Sequence, residues 1–222
     1  MATELLNKNQ RRTQETQERL LEAAEEVFVR NGYEGAQLAE IASSAGRSTG
    51  ALYGHFKSKE DLFLALFEYR TRQYVDRFLR IIAKCSNRKQ RLVAFREFYV
   101  ELVHDKAWSI LTLEFKLFSL RHTDSKQRLR NALEMAIPTN DEGLFRLMFG
   151  NLTREQRTSA DLSILALGPI VAGLILESNF EPEKLSESAI QHLLGRLFDA
   201  LFRLPIYHAP ADGAETVLSG SR

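Results

Sequence analysis

Apolar residues in the first 60 positions recur at helical spacing. Leu20, Leu21, Ala24, Val27 and Phe28 fall on one face, with glutamates and arginines opposite, which predicts an amphipathic helix. Asn31-Gly32 ends it, because glycine accepts the left-handed cap conformation. A short second helix follows over 38–45, with Leu38, Ile41, Ala42 and Ala45 on one face, and Gly46 breaks it. Ser48 then opens a third helix of about two turns, carrying Leu52 and Phe56 inward.

The fourth helix is long. Ser58 is a good N-cap, and Asp61 three residues on resembles a capping box. Leu62, Phe63, Leu66, Phe67, Tyr74, Phe78, Leu79 and Ile82 carry its stripe to about Lys84. Beyond a polar loop at 85–89, Leu92, Phe95, Phe98, Tyr99 and Leu102 mark one helix, and Trp108, Leu111, Phe115 and Phe118 the next. That second helix has another apolar row at Ile110, Leu113, Leu117 and Leu120, so it is expected to be central and covered on both sides. Helices are predicted over 124–137 and 142–149, with Pro138 to Asp141 as the break between them. Thr153 with Gln156 reads as a capping box for a helix to about Ser178, kinked at Pro169. Pro182 is expected to open the last helix, with Ile190, Leu194, Leu197, Phe198 and Leu201 facing inward and Pro205 beyond its end. The tail 209–222 is small and polar and reads as disordered. With no strand pattern and no repeat, the fold class is all-α, about nine helices.

Composition narrows this picture modestly. The 222 residues are 44% hydrophobic and 27% charged, enough to bury a core, and the net charge of +1 points to neither nucleic acid nor membrane in bulk. Lys8, Arg11 and Arg12 form a small basic arm ahead of the acidic first helix. The single cysteine, Cys85, has no disulfide partner; it reads as a packed or surface thiol, with a redox role as the alternative. The polar stretch Met1–Gln14 does not read as a signal peptide, and a cytoplasmic protein is expected. The apolar run 162–176 is 15 residues with an internal proline, short of the ~20 of a membrane helix, and is expected to be a buried helix.

Gly46-Arg47-Ser48-Thr49-Gly50 has the G-x-S-x-G form of a hydrolase nucleophile elbow. That motif needs a buried strand before the serine, whereas the preceding "LAEIASSA" has helical spacing. His55 is only seven residues beyond Ser48, and nothing marks another histidine as the serine's partner. The histidines at 55, 104, 122, 192 and 208 make no i, i+4 pair, so no metal, no cofactor and no catalytic residue is expected.

The same residues satisfy a helix-turn-helix. Ala42 is small where two helices cross, Gly46 turns the chain, and Leu52 anchors the second helix in the core. Ser48, Thr49, Gly50, Ala51 and Gly54 leave an outer face small enough to approach base edges, flanked by Tyr53, His55 and Lys59 as phosphate donors.

Glu18 to Phe67 resembles the N-terminal domain of tetracycline-repressor-like (TetR family) regulators. The resemblance is carried by Ala23-Ala24, Phe28, Gly32-Tyr33, Ile41-Ala42, Ala45-Gly46, Gly50, Leu52-Tyr53, His55-Phe56, Lys59 and Leu62, in order and without a gap. It covers about a quarter of the chain. It implies that Thr49, Gly50 and Ala51 face bases or backbone, that Tyr53, His55 and Lys59 reach phosphates, and that Ser48 caps the recognition helix. Two departures stand out. Ala36-Gln37 replaces the usual hydroxyl before the second helix, so Gln37 is left as a weak cap and possible DNA donor. Arg47 replaces an aliphatic residue; it is either a solvated turn residue or an extra phosphate or base contact. Residues 1–60 carry a net charge of −1, so binding must rest on the placement of a few cations. The basic arm either adds minor-groove contacts or is a flexible end.

The resemblance further implies a DNA-binding domain over 1–60 and a ligand-binding and dimerisation domain over 61–208. The homodimer would form through helices of about 154–178 and 182–204. Tyr74, Phe98, Tyr99, Trp108, Phe115, Phe118, Phe145 and Met148 are the candidate pocket residues, and as a set they suit an apolar or aromatic ligand. The implied mechanism is a dimer on a palindromic operator, most simply a repressor, released when a ligand favours another conformer. Two alternatives stay open: a helical adaptor without DNA binding, suggested by Ala36-Gln37 and the acidic first helix, and a helical hydrolase using Ser48.

Overall fold

The computed structural model describes residues 7–136 and 142–202. Among these residues, ten α-helices and one 3-10 turn appear in place of about nine: α1 (Lys8–Gly35), α2 (Leu38–Ser44), α3 (Thr49–Tyr53), α4 (Lys59–Ile82), α5 (Arg88–Glu101), the 3-10 turn Leu102–His104, α6 (Lys106–Ser119), α7 (Thr123–Ala136), α8 (Glu142–Phe149), α9 (Arg154–Ser178) and α10 (Glu187–Leu201). The expected break at Pro138 to Asp141, Pro205 and the tail 209–222 lie outside the described residues.

Side-chain caps set most of the helix starts. Asn7 and Gln10 form a reciprocal capping box, so Lys8, Arg11 and Arg12 belong to the first turns of α1 rather than to a separate arm. Gly32 interrupts α1 with φ 71° and ψ 170°, an extended positive-φ conformation rather than the expected left-handed cap, and helical hydrogen bonding resumes to Gly35. Ser58 Oγ accepts from Asp61 N at 3.1 Å, but the Asp61 carboxylate reaches back to Lys57 N rather than to Ser58 N, so only half of the expected box forms. Thr153 and Gln156 form a complete box at α9, which runs on through Pro169.

Two further expectations are corrected. Pro182 does not open the last helix: residues 181–185 form a turn, and α10 starts at Glu187, because Ser186 Oγ accepts from Ala189 N. The second apolar row of α6 is covered only in its first half: Ile110 packs on the second core and Leu113 is half-buried, whereas Leu117 and Leu120 are 64% and 69% exposed. Likewise α9 is not simply buried. By length and composition it is apolar enough to cross a membrane, yet it leaves Leu162 and Leu165 on an open face.

Two hydrophobic cores organise these helices. The first gathers Leu20, Ala24, Phe28, Tyr33, Ile41, Leu52, Phe56 and Phe63 with Trp108, Leu111 and Phe115 of α6 and Leu129 of α7. It therefore continues across residue 60 into the body. The second joins Phe78, Phe95, Tyr99, Phe145, Phe149, Ile175, Leu194 and Phe198, from α4, α5, α8, α9 and α10. Each fully buried phenylalanine contributes about 1.5–3 kcal/mol, so the helix-turn-helix rests on the body by apolar burial as well as by chain connection.

Candidate nucleic-acid interface and ligand cavity

The helix-turn-helix is built from short pieces with explicit locks. The α2 helix ends in a Schellman turn: Gly46, at φ 63°, donates to Ser43 O at 2.9 Å, and Arg47 N donates to Ala42 O at 2.8 Å. Ser48 then caps α3, its Oγ accepting from Ala51 N at 3.1 Å. Ala42 and Leu52 are buried at the crossing. Ser48 thus follows a helix instead of the strand that a nucleophile elbow needs, and its oxygen is engaged as a cap.

The outer surface of α3 is open. Ser48, Thr49, Gly50 and Tyr53 are exposed, Ala51 and His55 half-buried, and Gln37 stands exposed at the start of α2 without a side-chain cap bond. Arg47 is half-buried and leans back on α1, its guanidinium 3.4 Å from both Thr16 Oγ1 and Gly46 O. Lys59 is also occupied within the protein. Its Nζ donates to Glu34 O at 2.9 Å and Ala36 O at 3.3 Å and stands 4.9 Å above the Tyr33 ring, leaving one ammonium hydrogen for a phosphate. The sequence expectation for Lys59 missed this role because a backbone contact across 23 residues leaves no local signal.

A cavity of about 590 Å3 opens between α4, the 3-10 turn and the start of α6; Arg70, Tyr74, Arg77, Arg80, His104 and Asp105 are among its lining residues. Of the eight residues expected around a ligand, Tyr74 lines it. Trp108 and Phe115 stack instead on Phe67 and Phe63, and Phe118 packs at a tilt against Tyr33, around the first core. Tyr99, Phe145 and Met148 are buried in the second core, and Phe98 bridges the two settings by contacting both Tyr74 and Phe78.

Asp105 organises the cavity wall. It caps α6 by accepting from Trp108 N at 3.3 Å, and it also accepts from Arg70 and from the Tyr74 hydroxyl. Burial, reinforced by that bond to a carboxylate, pushes the Tyr74 phenol up, so it stays a donor. Arg70 in turn faces Glu25 of α1 at 3.3 Å, and burial raises the Glu25 pKa despite that cation. The Tyr99 hydroxyl, in contrast, is buried in the second core without a hydrogen-bond partner. No group of metal-ligating side chains occurs among the described residues.

Residues 20–66 match the family described as "Bacterial regulatory proteins, tetR family". The fatty acid metabolism regulator protein of Bacillus subtilis (strain 168) is 30% identical over 136 residues, covering 60% of this chain and 64% of that protein. The HTH-type transcriptional activator FasR of Mycolicibacterium smegmatis is 39% identical over 87 residues, 39% of this chain and 40% of its own. The matches thus span less than two thirds of the length of these curated relatives. Among solved structures, the transcriptional regulator FadR from Bacillus subtilis in complex with stearoyl-CoA superposes with a TM-score of 0.62 at 22% identity, over 82% of this chain and 96% of that one, which shows a shared fold. Residues 20–66 of this chain thus carry the N-terminal segment characteristic of the tetR family of bacterial regulatory proteins.

Proposed function

We propose that the protein is a dimeric, ligand-responsive transcriptional regulator that reads a palindromic operator through α2 and α3. The observation that carries this is the outer face of α3: Thr49 and Gly50 present no bulk, and Tyr53, 56% exposed, stands free beside them. A surface of that kind admits a major groove, with Thr49, Gly50 and Ala51 near base edges. Gln37, Ser48, Tyr53, His55 and the remaining hydrogen of Lys59 serve the phosphates, and Arg47 has only to leave Thr16 to add a contact. The protein acts in the cytoplasm, on DNA, and needs no catalytic group.

The second copy docks on the open face of α9, alongside α10. Leu162, Leu165 and Leu176 are exposed along α9 and Phe180 just beyond its end, and a Cβ placed on Gly168 or Gly173 would meet open space, so a partner helix can approach closely. Such a dimer holds its recognition helices about one DNA turn, roughly 34–36 Å, apart.

The ligand has an apolar body and a polar end. The aromatic second core, with its unpartnered Tyr99 hydroxyl, continues through Phe98 to the arginine-lined cavity. The stearoyl-CoA of the FadR complex combines the same two chemistries. Repression is the simpler mode, and a promoter-reporter assay distinguishes it from activation, the mode named for FasR. Selection of duplexes from random DNA tests the whole reading. A palindrome should emerge, with salt-sensitive binding that stearoyl-CoA weakens and free CoA does not. An empty selection would favour the adaptor alternative.

A further inference from the structure

The chain enters the helix-turn-helix through residues 32–37 and leaves it through 54–58. The helices secure these passages only in part: α2 starts without a side-chain cap, and five-residue α3 holds the exit as far as Phe56, whose N donates to Leu52 O at 2.9 Å. Two side chains from the body also meet these passages. At the entry, the positive φ of Gly32 breaks α1 and turns the Tyr33 N–H out of its helix, and Glu114 Oε1 of α6 accepts it at 2.6 Å. Glu114 stands between Leu113 and Phe115, on the helix whose apolar residues pack under Tyr33. At the exit, Asp61 accepts from Lys57 N at 2.9 Å with one oxygen and from Arg128 Nη1 of α7 at 2.5 Å with the other. Arg128 Nε also reaches Glu68 at 3.1 Å, and Ser125, one turn earlier on α7, donates to Glu60. Lys59 joins the two passages by holding Glu34 O and Ala36 O.

Apolar burial is non-directional, so the first core sets the angle of the helix-turn-helix on the body less sharply than directional bonds do. Hydrogen bonds to charged groups are directional and strong. We infer that Glu114 and Arg128 are positioning residues for DNA recognition: they fix the orientation of α2 and α3 on the body and touch no DNA. Glu114 sets the entry and Arg128 the exit. This inference rests on the DNA-binding reading above.

The test compares Glu114→Ala, Glu114→Gln and Arg128→Met with the wild type, on the duplex that the wild type selects. Glu114→Ala and Arg128→Met should each weaken binding by about tenfold or more, as loss of a charge-assisted bond does. The slope of log affinity against log salt should stay unchanged, because no phosphate contact is removed. Glu114→Gln keeps an acceptor oxygen and should bind within about threefold of the wild type. Wild-type affinity in Glu114→Ala, equal losses in the Gln and Ala variants, or a salt slope reduced by about one in Arg128→Met would each overturn the inference. Amide exchange supplies a readout independent of DNA. In Glu114→Ala the Tyr33 amide should exchange about tenfold faster while the amides of α5 keep their rates. Should the wild type bind no duplex, the DNA-binding reading fails, and unchanged Tyr33 exchange would then refute the clamp as well.

Discussion

Gly32 shows how one residue can dictate a junction. Its φ of 71° with ψ of 170° is open essentially to glycine, and a Cβ there would also stand 3.2 Å from Glu114 Oε1. Gly32→Ala is therefore expected to cost about 1–3 kcal/mol, measured by urea unfolding, with the Tyr33 amide losing protection. Asp61 carries a pH dependence. Burial alone would raise its pKa, but the Lys57 N–H and the Arg128 guanidinium outweigh it and hold the carboxyl below its ordinary value. A depressed folded-state pKa means that the carboxylate contributes stability above about pH 4 and loses that contribution as pH falls further through the folded value. Unfolding free energy measured from about pH 5 to pH 2 should fall, and Asp61→Asn should flatten that part of the curve. Arg47 poses a question of contact. If its guanidinium swings from Thr16 to a base edge, Arg47→Ala should relax the selected sequence at one position, at about 1–3 kcal/mol. Had it stayed on α1, the selected sequence would not change.

At the scale of elements, α3 is the fragile one. Five residues cannot hold themselves as a helix in water, so its form depends on the Ser48 cap, the Schellman turn before it and the burial of Leu52. Ser48→Ala should cost about 1 kcal/mol. The loss should show as faster exchange of the Ala51 amide and weaker operator binding, with α4 and α9 unaffected. Local sequence made this cap legible, as it did the Thr153 box. It misplaced the start of α10, where both Pro182 and Ser186 offer a plausible first turn. Proline only permits a helix to begin, whereas the Ser186 hydroxyl satisfies a backbone donor.

At the scale of the molecule, the open leucines of α9 make the oligomeric state decisive. Leu162→Glu combined with Leu165→Glu should give a monomer by analytical ultracentrifugation, with unchanged helix content by circular dichroism. A half-length operator should still bind weakly, while the full palindrome loses its advantage. Persistence of the dimer in that variant would place the interface elsewhere, with the exposed Leu117 of α6 and Leu120 at its C-cap as the next surface to examine.

Sequence alone determined the helical class, most helix bounds and the helix-turn-helix. These rest on period-3.6 burial, caps and glycine turns, all of which act within a few residues. Glu114, the one acid in the mostly apolar stretch from Trp108 to Phe118, was the trace of the clamp that the sequence carried. Tertiary structure decided the rest: that Trp108, Phe115 and Phe118 support Tyr33, that Lys59 and Arg128 lock the passages around α2 and α3, and that α6 and α9 each leave an apolar face open. Pairings across 23, 67 or 81 residues depend on how helices are stacked. A helix pattern specifies which face is apolar; which neighbour covers that face is settled only when all the helices compete for it.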